Sequence, residues 1–428
     1  MSARFFGTDG VRGRVGEDPM TPAFVLRLGR AAAYELGGPL VIGRDTRASG
    51  PMLEAALLAG ALEAGVEVHR LGVLPTPGVA YLTGEYRGRA GAVISASHNP
   101  YDDNGVKFFD EGGKKLPDEV ELRIETRLEE SLPFREGGRV FEAAEGAERY
   151  LSHLLGQAPD LTGKKIVVDA ANGATYRLAP ELFSRAGAWV FAIGTSPDGK
   201  NINRGLGATA PETMARLVKE LGFDLGVAFD GDGDRAIFAD QRGRIFHGDH
   251  VLYLAARALG LKRVVGTIMS NYGLELALKE HGAELVRAKV GDRYVAEAME
   301  ETGALVGAEP SGHVIFKERF STGDGMLTAL VVLELLEQTG TDLADWVEAL
   351  VLFPQVIENV RVRDKNRVMG HPRLNELVVE AEVALGEGRI NVRPSGTEPV
   401  IRVMVEGRDE NAVKRIAKEL GKKIAALE

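Results

Sequence analysis

The residues able to do chemistry gather in five short segments of this chain. The first is Ser95-Ala96-Ser97-His98-Asn99-Pro100, directly after the apolar run Gly91-Ala92-Val93-Ile94. A hydroxyl at the end of a strand, flanked by small residues, is exposed enough to act as a nucleophile or to carry a phosphoryl group. The same residues also suit a polar turn whose side chains satisfy the backbone. Ser97 and His98 are adjacent, so in an extended segment they point apart, which argues against a Ser–His–Asp hydrolase.

The second segment is Asp230-Gly231-Asp232-Gly233-Asp234-Arg235. Three carboxylates at alternate positions can converge on one hard cation, and the intervening glycines let the backbone curl around it. An EF-hand needs Gly sixth and Glu twelfth, where this chain has Arg235 and Gln241. A dinucleotide fingerprint fails too, because a strand follows and three carboxylates repel a pyrophosphate. A Mg²⁺ site completed by a phosphate oxygen fits the pattern best.

The remaining segments are individually weaker. Glu309-Pro310-Ser311-Gly312-His313 offers a carboxylate, a hydroxyl and an imidazole suited to vicinal sugar hydroxyls, or a plain turn. Arg393-Pro394-Ser395-Gly396-Thr397-Glu398-Pro399, with Arg402 beyond, offers guanidinium groups, hydroxyls and backbone N–H groups for a phosphate, or a hairpin turn. Phe6-Gly7-Thr8-Asp9-Gly10-Val11-Arg12-Gly13 sets one Arg among glycines, for close approach to a ligand or as a loose start.

These segments need elements to position them. Thr21-Pro22 opens a helix to Leu36, stopped by Gly37-Gly38. Leu40–Ile42, Val66–Leu71 and Gly91–Ser95 read as strands, with helices between them. The plan restarts at Lys165–Asp169 and again near Val251, so β-α-β units with parallel strands are expected in three rounds. From Pro354 the order becomes strand, helix, two strands and a terminal helix over Asn411–Leu427, a small α+β unit. Ligands in open α/β sheets bind at the strand ends, where the motifs fall.

Composition bounds the partners. The 428 residues carry 52 basic and 62 acidic side chains, a formal charge of −10, which speaks against nucleic acid and anionic membranes. With no cysteine there is no disulfide, thiolate metal site or Cys nucleophile. The opening Met1–Gly7 lacks the apolar core of a signal peptide, and no apolar run approaches the ~20 residues that span a bilayer. A soluble, cytoplasmic protein is expected.

Taken together and in this order, the five segments resemble the α-D-phosphohexomutase superfamily. Gly7–Gly13, Val290-Gly291-Asp292-Arg293-Tyr294-Val295 and Met269-Ser270-Asn271 are most similar to its branch acting on glucosamine phosphates. The resemblance implies three related α/β domains with mixed, largely parallel sheets plus a C-terminal α+β domain, arranged around a central cleft. The boundaries expected are 1–145, 146–241, 242–353 and 354–428, carrying in turn the phosphoserine, metal, sugar and phosphate loops.

It also implies a phosphoserine enzyme interconverting glucosamine 6-phosphate and glucosamine 1-phosphate through a sugar 1,6-bisphosphate, which doubles as activator. The product would feed amino-sugar nucleotide and bacterial cell-wall synthesis. By position, Ser97 would carry the phosphoryl group, and Asp230, Asp232 and Asp234 would hold Mg²⁺ with the Ser97 phosphate. Arg12 and Arg235 would flank the transferring group. His98 and Lys107 are candidates for stabilisation or proton transfer. Asp292 could face a substrate ammonium or simply cap a helix, and Arg293 goes with it. Glu309, Ser311, Gly312 and His313 would bind the sugar. Arg393, Ser395, Gly396, Thr397 and Arg402 would hold the phosphate that is not reacting. A priming kinase or bisphosphate donor is implied, and a homodimer is left open. Phosphomannomutase/phosphoglucomutase activity is the alternative, with a phosphomonoesterase and a non-catalytic sugar-phosphate sensor behind it.

Overall fold

The computed structural model describes residues 4–7, 9–395 and 399–428. The chain divides into two compact units: residues up to Met269 together with Ala283–Ala349, and Ser270–Gly282 together with Leu350–Glu428. Among the described residues no helix is long and apolar enough to cross a membrane.

Among the described residues, the first unit is built on three sheets. In the first, the apolar strands Leu40–Arg44, Glu67–Val73 and Ala90–Ile94 lie parallel. The helix Pro22–Leu36 helps cover them; its N-cap Thr21 accepts the Phe24 N–H, Pro22 sits in the first turn, and Gly37 ends it at φ 77°. The expectation of parallel β-α-β units is incomplete here. Strand Asp103–Asp110 runs antiparallel beside Ala90–Ile94, and Gly10–Arg14 pairs antiparallel with it in turn. A tight turn after residue 97 returns the chain directly, so no crossover helix intervenes. Just before the boundary expected at 145, the strand Arg139–Glu142 closes the edge of this sheet beside Glu67–Arg70.

The second sheet sets Lys165–Asp169, Trp189–Ile193 and Leu225–Phe229 parallel, then adds Ala236–Asp240 and Ile245–Phe246 antiparallel. The third sets Arg263–Thr267, Glu284–Ala288 and Val306–Ala308 parallel, with Val314–Phe316 antiparallel. Each antiparallel return follows a loop that carries a motif: after Ile94, after Phe229 and after Ala308. The hairpin geometry therefore puts the chemistry at the turn between a parallel strand and its antiparallel neighbour.

The second unit is an antiparallel sheet of Gln355–Arg361, Val400–Gly407 and Gly388–Pro394, with the middle strand in sequence at one edge. Helices Arg373–Leu385 and Glu410–Ala425 cover it, and its core includes Val403, Val405, Val413, Ile416 and Leu420. The helix Tyr272–Glu280, which falls inside the 242–353 domain expected from the sequence, belongs to this unit. Asn271 ties the two pieces together: its Oδ1 accepts the Phe353 N–H at 2.8 Å and its Nδ2 donates to the Phe353 carbonyl at 3.0 Å.

Candidate active site

The site forms in the first unit, where the three hairpin turns meet. The second sheet contributes Asp230–Arg235. Asp230 curls this loop by accepting N–H groups from Gly233 at 3.1 Å and Arg235 at 3.3 Å. The first sheet reaches it through Thr76, whose N–H donates to the Asp232 carbonyl at 2.8 Å and whose hydroxyl donates to its carboxylate at 2.6 Å. From the third sheet side, Gly325 N–H donates to the Gly233 carbonyl at 3.0 Å, and Arg235 forms a backbone bridge with His313.

Ser97 meets this loop directly. Its Oγ donates to Asp230 Oδ2 at 2.6 Å, and Ser97 is 1% exposed. It sits at φ 50°, a left-handed conformation that non-glycine residues seldom adopt. The segment is therefore turned, not extended, and the expectation that Ser97 and His98 point apart is corrected: His98 Nδ1 lies 3.4 Å from Ser97 Oγ. Gly231 has to be glycine for this approach, since a Cβ there would stand 2.5 Å from the Ser97 carbonyl oxygen.

Asp230, Asp232 and Asp234 each bring a carboxylate oxygen within 4.8 Å of the others, all buried. Asp232 Oδ1 and Asp234 Oδ1 are buried without a hydrogen-bond partner. Burial and then its two neighbours push Asp230 well above the usual carboxylate range, the electrostatic frustration that a bound cation would relieve. An all-oxygen donor set with orphaned lone pairs fits a hard cation such as Mg²⁺.

A ring of cations surrounds the trio. Lys107 Nζ lies 2.8 Å from Asp232, 3.0 Å from Asp9 and 3.7 Å from Asp234. Burial acts to lower its pKa, but Asp232, Asp9 and Asp234 overcome it and hold Lys107 well above its usual value. Its ammonium is thus a counter-charge to the carboxylates around it. Asp9 bonds Arg12 and Lys115 as well. Burial would raise Asp9, but Lys107, Lys115 and Arg12 keep it low. Arg235 is similarly held protonated against burial by Asp230 and Asp234. His98 is pushed down to about 4, by burial first and then by Arg235 and Arg12, so its imidazole is neutral near pH 7.

The sugar-binding candidates lie on the third sheet side. Glu309 Oε1 accepts the Gly291 N–H at 2.9 Å, and Ser311 Oγ is buried without a partner. Gly312, at φ 91°, makes the turn from Ser311 to His313. His313 Nε2 is 3.6 Å from Asp292 Oδ2. Asp292 opens the helix Asp292–Thr302 after the cap residue Gly291, and its carboxylate pairs with the chain's own Lys115 at 2.5 Å. Arg293 pairs with Glu121 at 2.9 Å and with Asp118, and it lines the same cavity as Asp292 and His313. A cavity of about 370 Å³ opens beside Lys115, Asp292 and His313, walled by Leu116, Met299 and Ile315.

In the second unit, Arg393 and Arg402 are cross-strand partners in the register of Gly388–Pro394 and Val400–Gly407. Burial, then the Arg402 charge, lowers Arg393. Ser395 is 3% exposed, and Lys365 Nζ donates to its carbonyl at 2.6 Å. This concentrates three cations around one turn. Gly396 and Thr397 lie outside the described residues.

Sequence reasoning missed Lys115, Thr76 and Asn203, and it named Asp9 only as part of a motif. No local spacing marks them. Asp9 and Lys115 are 106 residues apart and meet only in the fold.

Family models match the chain from end to end. The phosphoglucomutase/phosphomannomutase alpha/beta/alpha domains I, II and III match residues 3–133, 148–243 and 247–352, and the C-terminal domain matches 358–423. The chain belongs to the phosphoglucomutase/phosphomannomutase family. Within it, the chain is 59% identical to a phosphoglucosamine mutase of Thermus thermophilus, over 99% of this chain and 98% of that one. It is 52% identical to the phosphoglucosamine mutase of Deinococcus radiodurans, over 98% and 97%. A solved phosphoglucomutase/phosphomannomutase family protein from Burkholderia thailandensis superposes with a TM-score of 0.82 at 26% identity, covering 100% of this chain and 98% of that one. An Aspergillus fumigatus N-acetylphosphoglucosamine mutase, solved with GlcNAc-6P and magnesium, shares the fold at TM-score 0.70 and 16% identity, covering 99% and 95%.

Proposed function

We propose that this protein is a cytoplasmic phosphoglucosamine mutase, interconverting glucosamine 6-phosphate and glucosamine 1-phosphate through a phosphoserine at Ser97. The observation that carries the reading is Ser97 Oγ at 2.6 Å from Asp230, inside a buried carboxylate trio with two orphaned oxygens. The names of relatives more than half identical support the choice of sugar.

Mg²⁺ held by Asp230, Asp232 and Asp234 would supply charge neutralisation at the transferring phosphoryl group. The chain does the rest. Ser97, primed by a kinase or a sugar bisphosphate, presents the phosphoryl group from its strained turn. Lys107 balances the carboxylates of Asp232 and Asp9. Arg12 and Arg235 offset charge on the equatorial oxygens. Glu309, Ser311 and His313 hold the sugar hydroxyls, while Arg393, Ser395 and Arg402 hold a phosphate. The P–Oγ bond breaks as the P–O bond to the free sugar hydroxyl forms. The proton of that hydroxyl passes to an oxygen of the transferring phosphoryl group, while His98, held at about 4 and so a weak base, stands beside Ser97 Oγ as a neutral imidazole. The resulting 1,6-bisphosphate turns over and returns its other phosphoryl group to Ser97. Burial of Ser97 limits the access of water, which distinguishes transfer from hydrolysis.

The test compares glucosamine, mannose and glucose 1-phosphates with Mg²⁺ and a trace of the matching bisphosphate. Preference for glucosamine 1-phosphate, with Ser97→Ala abolishing both phosphoryl labelling and turnover, is the expected result. Faster mannose or glucose turnover would reassign the sugar. Steady release of inorganic phosphate without an isomer would overturn the mutase.

A further inference from the structure

The left-handed turn at Ser97 is gripped by two side chains from different sheets. Arg47, fully buried, donates through Nη2 to the Ser97 carbonyl at 2.9 Å and to the Asn99 carbonyl at 2.8 Å. Asn203 Nδ2 donates to the same two carbonyls at 2.9 and 3.2 Å. Arg47 is anchored on the first-sheet side by Asp45, whose Oδ2 also accepts Ser95 Oγ at 2.6 Å. Ser95 Oγ in turn accepts the Ser97 N–H at 2.9 Å.

Asn203 comes from the other side. It follows strand Trp189–Ile193 of the sheet that carries the Asp230 loop, and its own N–H is fixed to the Ala171 carbonyl at 2.8 Å. It holds φ 59°, and its amide nitrogen lies where a Cβ on Gly231 would come within 2.8 Å. The amide orientation is determined, because a flipped group would set its oxygen against two carbonyl oxygens.

We propose that Asn203 is a positioning residue that registers the Ser97 hydroxyl to the Asp230 loop, with Arg47 as the opposing jaw. The peptide that follows Ser97 cannot rotate while its carbonyl is held from both sheets, so the Cα–Cβ bond of Ser97 keeps its aim. The nucleophile and the carboxylate trio are thereby aligned by protein contacts alone. This rests on the assignment of Ser97 as the phosphoryl carrier.

The experiment uses the full chain with Asn203→Gly, which tolerates the positive φ, and Asn203→Asp, which keeps the shape but loses the donor. Wild type and variants are compared for kcat and KM with glucosamine 1-phosphate, Ser97 phosphate content by peptide mass spectrometry, and Tm. Losing the two hydrogen bonds that hold the turn at the nucleophile should lower kcat about ten-fold in Asn203→Gly, with KM changed less than about two-fold. Asn203→Asp should lose more, as its carboxylate repels the two carbonyls. Wild-type kcat in both variants, a change confined to KM, or a loss that only tracks the unfolded fraction would overturn the proposal. A wild-type enzyme that turns over without phosphate on Ser97 would instead remove the assignment beneath it.

Discussion

At the scale of residues, the site is a balance of buried charges. Asp232 is kept ionised against burial by Lys107, and its hydrogen bond to Thr76 adds to this. Removing one partner of such a pair leaves the other unpaired in a dry environment, at a cost of ~3–5 kcal/mol. Lys107→Met should therefore lower Tm by roughly 5 °C in chelator. Added Mg²⁺ should recover part of that loss by supplying positive charge to the same carboxylates. Thermal melts with and without Mg²⁺ check this, and an equal loss in both conditions would count against metal binding there. Ser97 and the three aspartates were legible because their spacing is local: the alternate carboxylates and the hydroxyl after an apolar strand announce themselves. Lys115 and Asn203 were not, because each acts on partners about a hundred residues away. The carboxylate partners of Arg293, Glu121 and Asp118, were illegible for the same reason, since they lie on a helix remote in sequence.

At the scale of elements, alternation of strand and helix revealed the parallel cores but not their antiparallel extensions. Asp103–Asp110 was hard to read as a strand because it follows a short turn and opens, with the residue before it, as Asp-Asp-Asn-Gly, a pattern of loops. The small elements also depend on protonation. Helix Gly248–Ala258 begins with His247, whose N–H donates to His250 Nδ1 at 3.2 Å, and His250 stacks on Phe246. Burial, then His247, pushes His250 down to about 3. An unfolded His titrates near ~6.5, so between these values the unfolded chain binds the extra proton. Stability is thus full above that upper value and is lost as pH falls, at up to ~1.4 kcal/mol per pH unit. In His250→Asn, which keeps an acceptor for the His247 N–H, the fall in Tm between pH 7 and pH 5 should be smaller than in wild type. Identical falls would dismiss His250 as a contributor.

At the scale of the whole molecule, the described residues form four sheets, and compactness groups them as two units, one of which takes in a helix from the middle of the chain. That exchange was invisible in the sequence, where Tyr272–Glu280 looks like any crossover helix. Asn271 is the clasp, so Asn271→Ala should cost ~1–3 kcal/mol by leaving the Phe353 backbone groups unpaired. Urea denaturation followed by a probe in the second unit measures it; an unchanged midpoint would mean the clasp carries no stability.

The clasp also sets a clock during synthesis. Asn271 leaves the ribosome 82 residues ahead of Phe353, a lag of about 4–16 s at ordinary elongation rates. Throughout that interval the helix Tyr272–Glu280 has been made but the segment around Phe353 that it is tied to has not. The nascent chain must therefore carry an unfinished surface until translation is nearly over, and slowing or pausing codons between the two points would lengthen its exposure to chaperones and proteases.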